Sequence, residues 1–126
     1  MTLSVLIVDD HAGFRSQARS FLEVAGFDVV GEADTGEDGI AAAARLRPDV
    51  VLLDVLLPDI DGFEVTRRIR EVADPPAVIL TSTRDASDFG RRIAASGAHG
   101  FLAKAELSRT GLEGLLSGDG RSSRQG

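Results

Sequence analysis

Val5–Val8 reads "VLIV" and Val50–Leu53 reads "VVLL". Four apolar residues in a row leave no polar face for water, so a strand built on them must be covered on both sides. A sheet between two helical layers supplies that cover, and the intervening chain reads as helix. Phe14, Ala18, Phe21, Leu22 and Ala25 fall on one helical stripe, with Gly26 behind them as a stop. A second helix is expected from about Glu37 to Arg47, with Ala41–Ala44 suited to close packing and Pro48 just beyond. A third is expected from Phe63 to Val72, turning Phe63 and Ile69 inward and Arg67, Arg68 and Arg70 mostly outward. The fourth is expected from Ser87 to Ser96, with Phe89 and Ile93 buried and Gly97 after it. Leu107 to Leu116 suggests a fifth, weakened by Gly111 and Gly114. Asp28–Ala33, Val78–Thr81 and Gly100–Ala103 complete the strands. Strand and helix alternate throughout 126 residues, the pattern of one α/β domain on a parallel sheet.

The first apolar run ends in Asp9 and Asp10, side by side ahead of His11. A turn needs only one acid there, and two must both stay hydrated or share a cation. Asp54 sits inside "VVLLDVLL", where an unpaired carboxylate costs roughly several kcal/mol. In a parallel sheet, ligands gather beyond the carboxyl ends of strands, and all three acids fall at such ends. They share an ion easily only if the first and third strands are neighbours, about 4.8 Å apart. The second strand then lies outside, and the order 2-1-3-4-5 of a flavodoxin-like (βα)5 doubly wound sheet follows.

Thr81 ends the run "AVIL", and Lys104, the chain's single lysine, ends "GFLA". An ammonium on a flexible stem reaches across neighbouring strands as a point charge. Three carboxylates, one ammonium and one divalent cation sum to zero, and oxygen ligands with room for water suit Mg²⁺ better than zinc. Such a site can transfer a phosphoryl group to a carboxylate. Only two histidines occur, and His11, at a helix start, and His99, in the turn before the last strand, are both set aside as site residues.

Other classes lose ground quickly. The chain has no Cys, hence no disulfide or thiolate metal site, and its net charge of -6 argues against direct nucleic-acid binding. No apolar segment is long enough to span a bilayer, and no signal peptide is visible, so a cytoplasmic location is expected. No P-loop, G-x-G-x-x-G or G-x-S-x-G occurs. The arginines at 67, 68, 70, 91 and 92 read as exposed helix faces. Residues 1–116 form the expected domain, and "SGDGRSSRQG" from Ser117 reads as a linker or tail.

"LIVDDH", "LLDVLLPDIDGFE", "ILTS" and "GFLAK", in this order, resemble the receiver domain of bacterial two-component response regulators. "VDDH" and "SGAHGFLAKAELS" are most similar to NarL/LuxR-like receivers, which carry helix-turn-helix output domains. The resemblance implies that Asp54 accepts a phosphoryl group from a sensor histidine kinase. It implies that Asp10, Asp9 partly through water, Asp54 and the carbonyl of Leu56 hold Mg²⁺. Thr81 and Lys104 would bind the phosphoryl group, and Thr81 with Phe101 would form the switch. The implied protein is a signalling module that catalyses only its own phosphorylation and dephosphorylation, controls an output such as transcription, and is able to form a homodimer on phosphorylation. Ala105 replaces the proline that often follows the lysine, so a trans bond is expected there. A haloacid-dehalogenase-type phosphatase would want D-x-D at its first strand. An FMN module would want a Ser/Thr-rich loop where "DDHAGF" stands.

Overall fold

The computed structural model describes residues 2–116; the tail expected from Ser117 onward lies outside the described residues. Five strands, β1 (Ser4–Val8), β2 (Asp28–Ala33), β3 (Val50–Asp54), β4 (Ala77–Ser82) and β5 (Gly100–Ala103), form one parallel sheet in the order β2-β1-β3-β4-β5. The helices are α1 (Ala12–Val24), α2 (Gly36–Leu46), α3 (Gly62–Ile69), α4 (Arg92–Ser96) and α5 (residues 109–116). The chain steps one way from β1 to β2 and the other way thereafter. Right-handed crossovers therefore put α1 on one face and α2, α3 and α4 on the other. α5, following the last strand, returns to the α1 side, where Leu112 is buried.

The apolar runs are covered as expected. Leu6, Ile7, Val8, Val51 and Leu53 have essentially no exposure, and full burial of each contributes about 1.5–3 kcal/mol. Alternation divides them between two cores. Leu6, Val8, Val51, Leu53, Val78 and Leu80 face α2 and α3, whereas Val5, Ile7, Val50, Leu52 and Ile79 face α1 and α5. The stripe on α1 closes the second core through Ala18 and Leu22, and Gly26 stops the helix with φ 99°. Ala42 and Ala43 let α2 lie close to the sheet, and its Gly39 lies directly against Val8.

Two expected helices are shorter than their apolar spacing suggested. The segment around Ser87 forms a single 3₁₀ turn, Ala86–Asp88, and α4 begins only at Arg92. The cause is local. Asp85 and Asp88 cap each other's backbone, and Gly90 adopts φ 57°, which interrupts a right-handed helix. Phe89 and Ile93 are accordingly only partly buried, not buried as expected. α3 ends at Ile69 and not Val72, and Val72 is 53% exposed. Lys104–Glu106 forms a 3₁₀ turn ahead of α5, and no described peptide bond is cis.

Candidate functional site

Strand parity decides which side chains meet beyond the sheet's carboxyl edge. In β1, Val5 and Ile7 face α1, so the next residue in phase, Asp9, emerges on that side. The same parity carries Val50 and Leu52 to Asp54, Ile79 to Thr81, and Leu102 to Lys104. Asp54 and Thr81 are direct partners in the β3–β4 register. Four residues far apart in sequence thus share one face and one edge.

The ammonium of Lys104 ties the group together. Its Nζ lies 2.6 Å from Asp9 Oδ2 and 3.4 Å from Asp54 Oδ2. The same Nζ sits 4.4 Å from the centre of the Phe14 ring on α1, a cation–π contact that steadies the stem. The Asp9 contact is an ion pair without hydrogen-bond alignment, so Oδ2 keeps a lone pair uncommitted. Asp9 and Asp54 are 1% and 3% exposed. Asp10 stands at the rim with about a third of its side chain in solvent. The Leu56 amide donates to Asp54 Oδ1 at 3.3 Å, while the Leu56 side chain is half exposed. Burial, then the neighbouring Asp9 charge, pushes the Asp54 carboxyl up to about 6, against the opposing pull of Lys104 and the Leu56 amide.

Thr81 Oγ1 is buried and has no hydrogen-bond partner. An unsatisfied buried hydroxyl costs about 1–3 kcal/mol, so its position beside Asp54 marks a place for an incoming oxygen. One carboxylate oxygen each from Asp9, Asp10 and Asp54 and one ring nitrogen of His11 lie within 4.8 Å of one another, close to the span of a divalent ion's ligand shell. The donor set therefore fits a hard divalent ion.

Three contributors escape sequence reading. His11, set aside as a residue at a helix start, has Nδ1 3.1 Å from Asp9, 3.2 Å from Asp10 and 3.9 Å from Asp54. Asp59 in the β3–α3 loop accepts from the amides of Gly36 and Glu37, at 2.7 and 2.9 Å, and so pins that loop to α2. Gly62 packs so tightly on the end of β3 that a Cβ there would lie 2.5 Å from the Asp54 carbonyl oxygen. Its glycine was visible in "DIDG", but the close approach belongs to the tertiary structure.

Phe101 is not in the cluster. Its parity places it on the opposite face of the sheet, partly buried, with its ring 5.8 Å from that of Phe89. Phe89 in turn meets Phe63 edge-on at 5.7 Å, and Arg92 covers Phe63 while pairing with Asp61. The arginines expected on open helix faces are mostly tied to acids: Arg67 and Arg68 both bridge to Glu64.

Residues 5–113 match the response regulator receiver domain. The chain belongs to that family. This receiver is 41% identical over 102 residues to the transcription regulator BvgA of Bordetella pertussis, covering 81% of the chain and 49% of that protein. It is 36% identical over 115 residues to the response regulator GacA of Pseudomonas aeruginosa, covering 90% and 52%. The receiver thus spans about half the length of the curated relatives it matches. Among solved structures, the signal receiver domain of NarL from Mycobacterium tuberculosis superposes with TM-score 0.81 at 32% identity, over 94% of this chain and 96% of that one. These relatives place the receiver in the NarL/LuxR-like group. It is a signalling module, and among its described residues no helix is long and apolar enough to cross a membrane.

Proposed function

We propose that this receiver is a phosphoacceptor switch in which Asp54 takes a phosphoryl group from the phosphohistidine of a partner sensor kinase. One Asp54 carboxylate oxygen forms a bond to phosphorus, the nitrogen–phosphorus bond of the donor breaks, and the bonding pair returns to the donor imidazole. Lys104, already 3.4 Å from Asp54 Oδ2, meets the charge on the transferred oxygens. Thr81 donates its unpartnered hydroxyl to another of them. Asp9, Asp10, Asp54 and the Leu56 carbonyl would hold Mg²⁺, which supplies neutralising charge to the transferring group. Transfer to Asp54 and later loss of the phosphoryl group to water are both catalysed by these same residues, and in that sense only is the module catalytic. Withdrawal of Thr81 toward the phosphoryl group shifts the end of β4, and Phe101, on the other face of β5, repacks against Phe89 in response, altering the α4–β5 surface. That surface then acts in the cytoplasm on an output, transcription being the one that BvgA-like relatives suggest, with phosphorylation-dependent pairing of two copies as one route.

The observation that carries this reading is a buried carboxylate with an ammonium at 3.4 Å and an orphaned hydroxyl opposite it in register. Intact-mass measurement after incubation with Mg²⁺ and a small phosphodonor tests it. One phosphoryl adduct is expected on the wild type and none on Asp54→Asn, since an amide is a poor nucleophile. Full modification of the variant would move the acceptor elsewhere.

A further inference from the structure

His11 is the N-cap residue of α1, yet its side chain makes no capping hydrogen bond. N-cap side chains ordinarily accept from an amide one turn ahead. Here the ring turns back, and Nδ1 takes up positions 3.1 Å and 3.2 Å from oxygens of Asp9 and Asp10 and 3.9 Å from Asp54 Oδ2. The backbone fixes this arc, because the His11 amide itself donates to Asp9 Oδ1 at 2.8 Å. Ligand atoms bound at about 2.1 Å to one ion lie about 3 Å apart when adjacent, so the two short separations, the first of them also a hydrogen bond, match those of neighbouring ligands on one cation. A second observation, independent of the acids, points to a ligand at the same edge: the hydroxyl of Thr81, 1% exposed, has no partner. The imidazole is largely open to solvent, so an ion reaches Nδ1 without local unfolding.

We propose that His11 Nδ1 is an inner-sphere ligand of the cation site, which makes the site accept Co²⁺-like ions through nitrogen as well as Mg²⁺ through oxygen. The inference rests on the carboxylate cation site of the proposed function. Mg²⁺ takes oxygen ligands and keeps its waters, gaining little from an imidazole, whereas Co²⁺, Ni²⁺ and Zn²⁺ gain a favourable bond. Any site of this composition binds Co²⁺ more tightly than Mg²⁺, so the diagnostic quantity is how one substitution changes the two affinities relative to each other.

Untagged protein at fixed pH 8 is titrated calorimetrically with Mg²⁺ alone and with Co²⁺ alone, and the visible absorption of bound Co²⁺ is recorded. His11→Ala is expected to weaken Co²⁺ about 10- to 100-fold, change the Co²⁺ spectrum, and leave Mg²⁺ within about twofold. His11→Asn, which restores a good capping residue, should behave the same and so excludes loss of folding as the cause. Unchanged Co²⁺ affinity in both variants, an equal loss for both ions, or a Co²⁺ loss that follows His99→Ala instead would overturn the assignment. Asp10→Ala should weaken both ions. If it weakens neither, or if the wild type binds neither, the carboxylate cation site itself fails and the role of His11 with it.

Discussion

Asp54 is a carboxylate that this fold keeps at a cost, and the cost has a pH dependence. Its folded-state value stands at about 6 against an ordinary 3.8. Between those values the folded protein holds a proton that the unfolded chain has released, so stability falls as pH rises through the window. Asp54→Asn removes the charge. Without cation at pH 8 the variant should be more stable than wild type by about 2–3 kcal/mol, and the advantage should shrink as pH falls toward 4. Urea unfolding across that range measures it; a gap independent of pH would assign the effect to something other than ionisation. Water access to a phosphorylated Asp54 is a second residue-scale matter. Leu56, half exposed, and Thr83, exposed, stand two positions after Asp54 and Thr81, just past the strand ends that carry those residues. Neither is a strong orienter of water, so phosphate loss should be slow. Leu56→Asn with Thr83→Glu should speed it about ten- to a hundredfold in a phosphate-release time course; equal rates would show that other groups control the water. Asp9, Asp10, Asp54, Thr81 and Lys104 were legible because each interrupts or ends an apolar run at one sheet edge. His11 was not, because spacing locates an N-cap residue but says nothing of which way its ring turns.

At the scale of elements, strands were easier to read than helices. A strand buried on both faces announces itself as an unbroken apolar run, and β2 and β5 have the expected bounds. Helical spacing is weaker evidence, since Phe89 and Ile93 stand four apart whether or not a helix joins them. The chain between them instead turns at Gly90, a backbone preference that outweighs one apolar pair. The anchoring of α2 is likewise a tertiary matter. The side chain of its own N-cap, Thr35, accepts from the Asp38 amide, and Asp59, from another loop, takes the amides of Gly36 and Glu37. Asp59→Ala should therefore cost about 1–2 kcal/mol, the scale of a lost helix cap, read as a lower urea midpoint. A loss no larger than that from substituting the exposed Asp34 would show that the cap carries nothing.

Taken whole, the molecule concentrates negative charge at one end of its sheet and offsets it with a single lysine. A cation that binds only the folded form should raise the melting temperature. Asp10→Ala both relieves repulsion and removes a ligand. The variant should melt at or above the wild-type temperature without Mg²⁺ yet rise less when Mg²⁺ is added. An unchanged magnesium-dependent rise would remove Asp10 from the cation site. The order 2-1-3-4-5 was legible from the need to bring Asp9 and Asp54 together, a case in which chemistry constrained topology.

Because Asp9, Asp54, Thr81 and Lys104 each continue the alternation of a strand, their arrangement has an arithmetic. Losing one residue within Val5–Val8 would turn Asp9 toward the α2 core, and gaining one would set Val8 at the reactive edge in its place. A change of two residues restores the side but moves the acid along the edge by the length of a dipeptide. Strand lengths here are thus held twice over, by parity and by reach, while the helices and loops are free to drift. Among lineages descended from one such chain, insertions should accumulate where strands begin and almost never within the four runs that carry the reacting groups.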